Sequence, residues 1–220
     1  STGNVANIFI DEFDYHNDIA GTPLPVTMGS FNLYSNSRSA SLTWSTTSEL
    51  NNSGFDIERS IISGSTTGDW QKIAFVQGSG TTNEPKSYSF SDNNLKAGNY
   101  KYRLKQIDFN SNFEYFTPSN AEYITIYSPN VFSISQNYPN PSNPVSKIDY
   151  QIPFSGNVNL TVYDVTGKAV MELVNGFQTA DYHSVTFNGN NLASGIYFYR
   201  ISVSSENSNF TKTMKMVLVK

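Results

Sequence analysis

Few residues in this chain are equipped for chemistry. The only histidines are His16 and His183, far apart in sequence, and there is no cysteine. A histidine base needs a nucleophile and an orienting group beside it. No Gly-x-Ser-x-Gly, His-Glu-x-x-His or phosphate-cradling glycine loop supplies them. Without cysteine there can be no disulfide, thiolate zinc site or thiol nucleophile. Glu49 and Glu58 flank turn-like residues, but paired carboxylates work as acid and base only across a shared cleft, and they read as surface charges. Asp11, Glu12, Asp14, Asn17 and Asp18 offer oxygens to calcium. They lack the fixed spacing and central glycine of a calcium loop and read as a solvated strand end. Trp44 belongs to an apolar face and is predicted core. Trp70 is the candidate for stacking on a glycan. The expectation is a chain with no catalytic residues, no cofactor and no metal.

The elements that must carry these residues are strands. The 220 residues suffice for two ordinary domains, and 38% hydrophobic with 14% aromatic content is ample for packed cores. Asn, Ser and Thr are plentiful while Ala, Glu and Lys are scarce, which disfavours helix and suits strands joined by turns. A net charge of −4 offers no basic surface for nucleic acid. No apolar run is long enough to span a bilayer. The start, Ser1-Thr2-Gly3, lacks the pattern of a signal peptide and reads as a cut end, with any export signal upstream.

Residues 1–25 read as one strand, 8–13, followed by a linker that two prolines stiffen. A lone strand cannot bury a face, so it is expected to close a domain that lies upstream. From Val26 the alternation becomes regular. Ala40, Leu42 and Trp44 share one face, and Tyr100, Tyr102 and Leu104 face inward against Lys101, Arg103 and Lys105. Turn signals at 51–54, 64–68, 78–80, 95–99 and 110–112 separate roughly seven strands up to about residue 127, the pattern of a β-sandwich. Ser128-Pro129-Asn130 marks a boundary. Residues 128–220 repeat the pattern, with Met214, Met216 and Leu218 on one face of the last strand. Three prolines within 137–144 exclude a central strand there, because proline has no N–H to donate. That piece is expected to wrap along an edge. The fold class is therefore all-β: two tandem antiparallel immunoglobulin-like or fibronectin-like sandwiches, 26–127 and 128–220.

Several stretches resemble known families. Trp44 on the second strand, the turn from Leu95 to Tyr100, and the runs 49–60 and 102–108 resemble a fibronectin type III-like domain, with Tyr100 as its tyrosine corner. Residues 8–13 resemble the last strand of jelly-roll modules. In the second block, Tyr138-Pro139-Asn140-Pro141, Asp164-Val165-Thr166-Gly167-Lys168, Leu192-Ala193-Ser194-Gly195-Ile196-Tyr197 and the lysines Lys212, Lys215 and Lys220 resemble the C-terminal sorting domain of the bacterial type IX secretion system. Taken singly, the proline run would be a loop and Asp164 to Lys168 a hairpin turn with Gly167 at positive φ.

The resemblance implies a non-catalytic region of a secreted or outer-membrane cell-surface protein. The partners it implies are the type IX machinery, a surface sortase-like protease and surface polysaccharide. The terminal lysines would mark an edge strand read by strand addition, or would simply guard that edge. Two alternatives belong to other classes: a glycan- or protein-binding adhesion module using Trp70, and a surface fibre in which edge strands join copies.

Overall fold

The computed structural model describes residues 26–220. The expected strand at 8–13, the linker, His16 and the acidic stretch lie outside the described residues. The first half holds β1 (Val26–Asn36), β2 (Ser39–Ser63), β3 (Thr66–Thr67), β4 (Gln71–Thr82), β5 (Lys86–Asp92), β6 (Gly98–Asp108), β7 (Phe113–Phe116) and β8 (Ile124–Ile126). The second half holds β9 (Ser133–Ile134), β10 (Val145–Ile152), β11 (Gly156–Tyr163), β12 (Ala169–Gln178), β13 (Asp181–Asn188), β14 (Gly195–Ser204) and β15 (Asn209–Leu218).

β2 organises the first half. Its first part pairs with β1 and β5, its last part with β4 and β6. The turn expected at 51–54 is thus a bend inside one strand, where the chain passes from one layer to the other. Asn51 takes a φ of 57°. A Cβ on Gly54 would sit 2.4 Å from the Val76 carbonyl oxygen, so only glycine lets β4 approach. The polar character of the stretch is real, but its backbone stays in the ladder.

Between the layers lies a core that includes Phe31, Leu42, Trp44, Phe55, Ile57, Tyr102 and Leu104. Trp44 stacks on Tyr88 and meets Phe55 edge-on, both with ring centroids 5.5 Å away. Such contacts add about 0.5–1.5 kcal/mol beyond area burial. The core also swallows a carboxylate. Glu49 accepts hydrogen bonds from the Thr46 hydroxyl, the Asn52 amide and the Ser79 N–H at 2.8 Å, and from the Tyr88 hydroxyl at 2.6 Å. Burial pushes this carboxyl up, but the four donors outweigh it and hold it below its ordinary value.

The strand expected over 113–126 is interrupted. β7 pairs with β6 from Leu104 to Ile107, and β8 pairs with it from Gly98 to Tyr100. Between them the chain crosses to β1: the Ser119 N–H donates to Phe31 O at 2.9 Å, and the Asn120 side chain bonds both Leu33 backbone groups.

In the second half, β12-β11-β14-β15 form one sheet and β13-β10-β9 another. Their inner faces supply a second core that includes Ile148, Leu160, Phe187, Tyr199, Met216 and Leu218. The expected inward face of the last strand, Met214, Met216 and Leu218, is the observed one. Each half also ties one loop down with a tyrosine. The Tyr100 hydroxyl donates to Lys96 O at 3.0 Å, and the Tyr197 hydroxyl to Ala193 O at 2.8 Å. Both tyrosines end the pattern Leu-x-x-Gly-x-Tyr, at 95–100 and 192–197.

The halves meet at a small joint. Asp181 is buried, and its Oδ1 accepts the Ala97 N–H at 2.8 Å. Arg38 donates to the carbonyls of Leu95 and Asn94 and lays its guanidinium over the Tyr182 ring, 4.3 Å from the centroid.

Candidate functional site: one pole of the second sandwich

The proline-rich segment is a wrap, as its composition requires. It opens with Asn137, which is 1% exposed. The Asn137 side-chain amide donates towards Pro139 O at 3.0 Å, Ser146 Oγ at 3.0 Å and Ser142 Oγ at 3.2 Å. The Asn137 N–H donates to the Tyr199 hydroxyl, which donates in turn to Ser135 O. This buried polar knot bends the chain, so that Tyr138, Pro139, Asn140 and Pro141 stand outward. Tyr138 is 81% exposed. Its backbone nevertheless exchanges two hydrogen bonds with Lys147.

The wrap lies against the last strand. Ser142 N–H donates to Val217 O at 2.7 Å, Val219 N–H to Ser142 O at 2.9 Å, and Val217 N–H to Asn140 Oδ1 at 3.0 Å. Gln136 donates to Lys215 O at 2.7 Å. The outer edge of β15 is therefore occupied from about Lys215 onward. Strand addition, expected along this edge, has room only towards its Asn209 end.

The other motif residues build turns. Asp164 Oδ1 accepts the Thr166 hydroxyl at 2.6 Å and the N–H groups of Thr166 and Lys168. The Thr166 hydroxyl is the main reason this carboxyl sits below its ordinary value. Gly167 follows at a φ of 82°, the left-handed region that glycine enters freely. Gly195 and Tyr197 belong to the tyrosine-tied loop described above. Lys220 reaches that loop: its N–H donates to Ser194 Oγ at 3.2 Å and its ammonium to Asn190 O at 2.6 Å.

Strand register brings these pieces together. Tyr163, before the Asp164 turn, lies beside Phe198; Gly195 lies beside Leu218; Ser142 bridges to Leu218. The wrap, the 164–168 turn, the 189–195 loop and the tail thus share one end of the sandwich. Of the expected residues only Lys212 lies apart, mid-strand opposite Ile201. The joint with the first sandwich is at the opposite end, since Asp181 pairs with Ile152 while Val145, next to the wrap, pairs with Asn188. Val165 and Val219, 68% and 44% exposed, complete an apolar and basic surface with Tyr138, Lys168 and Lys220. Sequence reasoning did not single out Asn137, Ser142 and Ser146. Their signal was weak, small polar residues around prolines.

Trp70 lies in the first sandwich, away from this pole, with Arg103 over its ring at 4.4 Å. Trp44 is buried as expected. Among the described residues no group of histidines and carboxylates is placed to hold a metal, and no helix is long and apolar enough to cross a membrane.

No curated protein matches the chain. The solved structures that align with it include two of low sequence identity. Dimeric latent PorU from Porphyromonas gingivalis shares 16% identity over 89% of this chain and 20% of its own, with a TM-score of 0.35. A tetra-tandem repeat in the extending region of a large adhesion protein shares 18% identity over 88% of this chain and 49% of its own, with a TM-score of 0.32. The chain spans about a fifth of the first and half of the second. Residues 136–218, from the base of the wrap to the end of β15, match the family described as the secretion system C-terminal sorting domain. That part of the chain is a type IX sorting domain, and the protein carrying it is secreted or held at the outer-membrane cell surface.

Proposed function

We propose that residues 128–220 are an export address whose readable face is the pole formed by Tyr138–Pro141, Val165, Lys168, Val219 and Lys220. The first sandwich, 26–127, then serves as a fibronectin-like spacer between that address and whatever precedes it. The supporting observation is the convergence of four separated motifs on the end remote from the joint, where a large partner can approach unobstructed. Exposed apolar side chains among lysines suit a partner surface that is itself apolar and acidic. The partners on this reading are the type IX translocation machinery and a surface sortase-like protease, with attachment to surface polysaccharide following export. The sorting sandwich works by shape and surface rather than by catalysis.

The test is a reporter fused ahead of residues 128–220, followed in type IX-competent cells and in a secretion-deficient mutant. Deleting the last strand would confound it, because Met216 and Leu218 are fully buried and their loss would unfold the domain. Surface changes avoid this. Tyr138→Ala combined with Lys168→Ala and Lys220→Ala should leave the fold intact and reduce surface delivery at least tenfold. Unchanged delivery by that folded variant would reject the pole as the readable face. Retention of the unaltered fusion in competent cells would reject the address itself.

A further inference from the structure

We infer that the first sandwich carries a binding cleft for a neutral sugar ring, with Trp70 as its aromatic wall. This concerns a different sandwich from the export address and does not depend on it.

The cleft exists because the chain leaves β6 between β7 and β8. With residues 117–123 drawn across to β1, the flank of β6 around Lys101 and Tyr102 lies open, and a hollow of about 430 Å³ results. Trp70, Pro118 and Ala121 give it apolar surface; Lys101 and Glu122 stand among its lining residues too. Paired strands close both ends of the gap, β7 at Leu104 and β8 at Tyr100. A peptide therefore has no room to add as a strand, and the occupant must be compact.

Both walls are set before anything binds. Glu58 grips Arg103 at 2.6 Å, and the guanidinium packs against Trp70 at 4.4 Å and Tyr115 at 3.9 Å. Arg103 is not part of the lining, so it holds the indole from outside the cleft. The opposite wall is pinned by the Ser119 and Asn120 bonds to Phe31 and Leu33. A site fixed in this way spends little ordering entropy on its ligand.

The charges decide the ligand class. Lys101 and Glu122 bond each other at 2.7 Å, so they neutralise one another and give an ion no advantage. The Glu122 side chain is 75% exposed, and the pair offers donors and acceptors to hydroxyl groups arriving from solvent. An apolar aromatic wall beside a neutral donor–acceptor pair matches a pyranose ring, which has a C–H face and hydroxyls at its rim.

The 220-residue chain would be titrated with neutral gluco-, manno-, galacto- and xylo-oligosaccharides, following tryptophan emission and calorimetric heat. Trp44 is buried, so an emission change reports Trp70. We expect saturable binding of at least one series. Trp70→Ala should weaken it about tenfold, Trp70→Phe less, and Glu122→Gln a few-fold. Thermal unfolding of the variants checks that they fold, and Trp70→Phe keeps the test valid if Trp70→Ala does not. Absence of saturation by every series, equal affinity in a folded Trp70 variant, or saturation by a proline-rich peptide in place of the saccharides would each overturn the assignment.

Discussion

Replacing Asn137 by alanine should loosen the pole from beneath. Its side-chain amide has two hydrogens shared among Pro139 O, Ser142 Oγ and Ser146 Oγ at 3.0–3.2 Å. At most two donated bonds can therefore be lost, together with the one that Asn137 Oδ1 accepts from the Gln136 amide at 2.7 Å, each worth about 1 kcal/mol net. The two serine hydroxyls still bond each other at 2.8 Å, which leaves the Pro139 carbonyl short of a donor at an added cost of about 1–2 kcal/mol. The sum is a destabilisation of about 4–5 kcal/mol for the second sandwich alone. Tryptophan emission cannot report it, since Trp44 and Trp70 both lie in the first sandwich. The assay is urea unfolding by far-ultraviolet circular dichroism, with hydrogen exchange at the Val217 and Val219 amides, which bond to the wrap. Those amides should exchange at least tenfold faster, while emission-detected unfolding stays put. A shift below about 0.5 kcal/mol with unchanged exchange would mean that Asn137 does not hold the wrap.

Other perturbations test the remaining features. Glu49→Gln replaces an anion that accepts four bonds. Its new amide can still face the rotatable Thr46 and Tyr88 hydroxyls, so the cost should be about 1–3 kcal/mol near neutral pH. Because the Glu49 carboxyl lies below its ordinary 4.5 when folded, its contribution is present above that pH and lost as pH falls through the folded value. Emission-detected stability of the Gln variant should therefore fall less on acidification than the parent's. Tyr88, half-buried and bonded to Glu49, is pushed up to about 12 from 10. Its contribution is complete below pH 10 and lost as pH rises towards 12, which tyrosinate absorbance would follow. Asp181→Ala orphans the Ala97 N–H, and NMR relaxation should then show the halves tumbling more independently; unchanged rates would show that the joint does not depend on it. Tyr100→Phe and Tyr197→Phe should each cost about 1 kcal/mol, confined to the half that carries the change.

Much of this fold was legible where alternation is strict. Tyr100, Tyr102 and Leu104 are buried while Lys101, Arg103 and Lys105 are not, because a strand's period of two puts its pattern directly into the sequence. The proline wrap was legible for a different reason, the missing N–H groups. The continuity of β2 was not, since Asn51 to Gly54 have the composition of a turn, yet Asn52 and Gly54 pair with β4 on one side and β6 on the other across shifts of register. Nor was the detour at 117–123 foreseen, although Pro118 and Asn120 are poor strand formers. Of the site, the motif residues could be named, but not their meeting at one end. Sequence separation says nothing of that; antiparallel register does. Asp181 belonged to no motif, and its role depends on a backbone N–H far away in the chain.

The paired tyrosine ties carry a consequence for how cargo is told apart. Residues 95–100 and 192–197 present the same hexapeptide grammar on one polypeptide, so a receptor keyed to that hexapeptide would find two equal handles. One of them, through Ala97, is already spoken for by its neighbour. On the proposed export-address reading, discrimination would rest on Tyr138-Pro139-Asn140-Pro141, which has no counterpart between Val26 and Tyr127. On that reading the loop lasso is scaffolding common to both halves, and the prolines would be the signature.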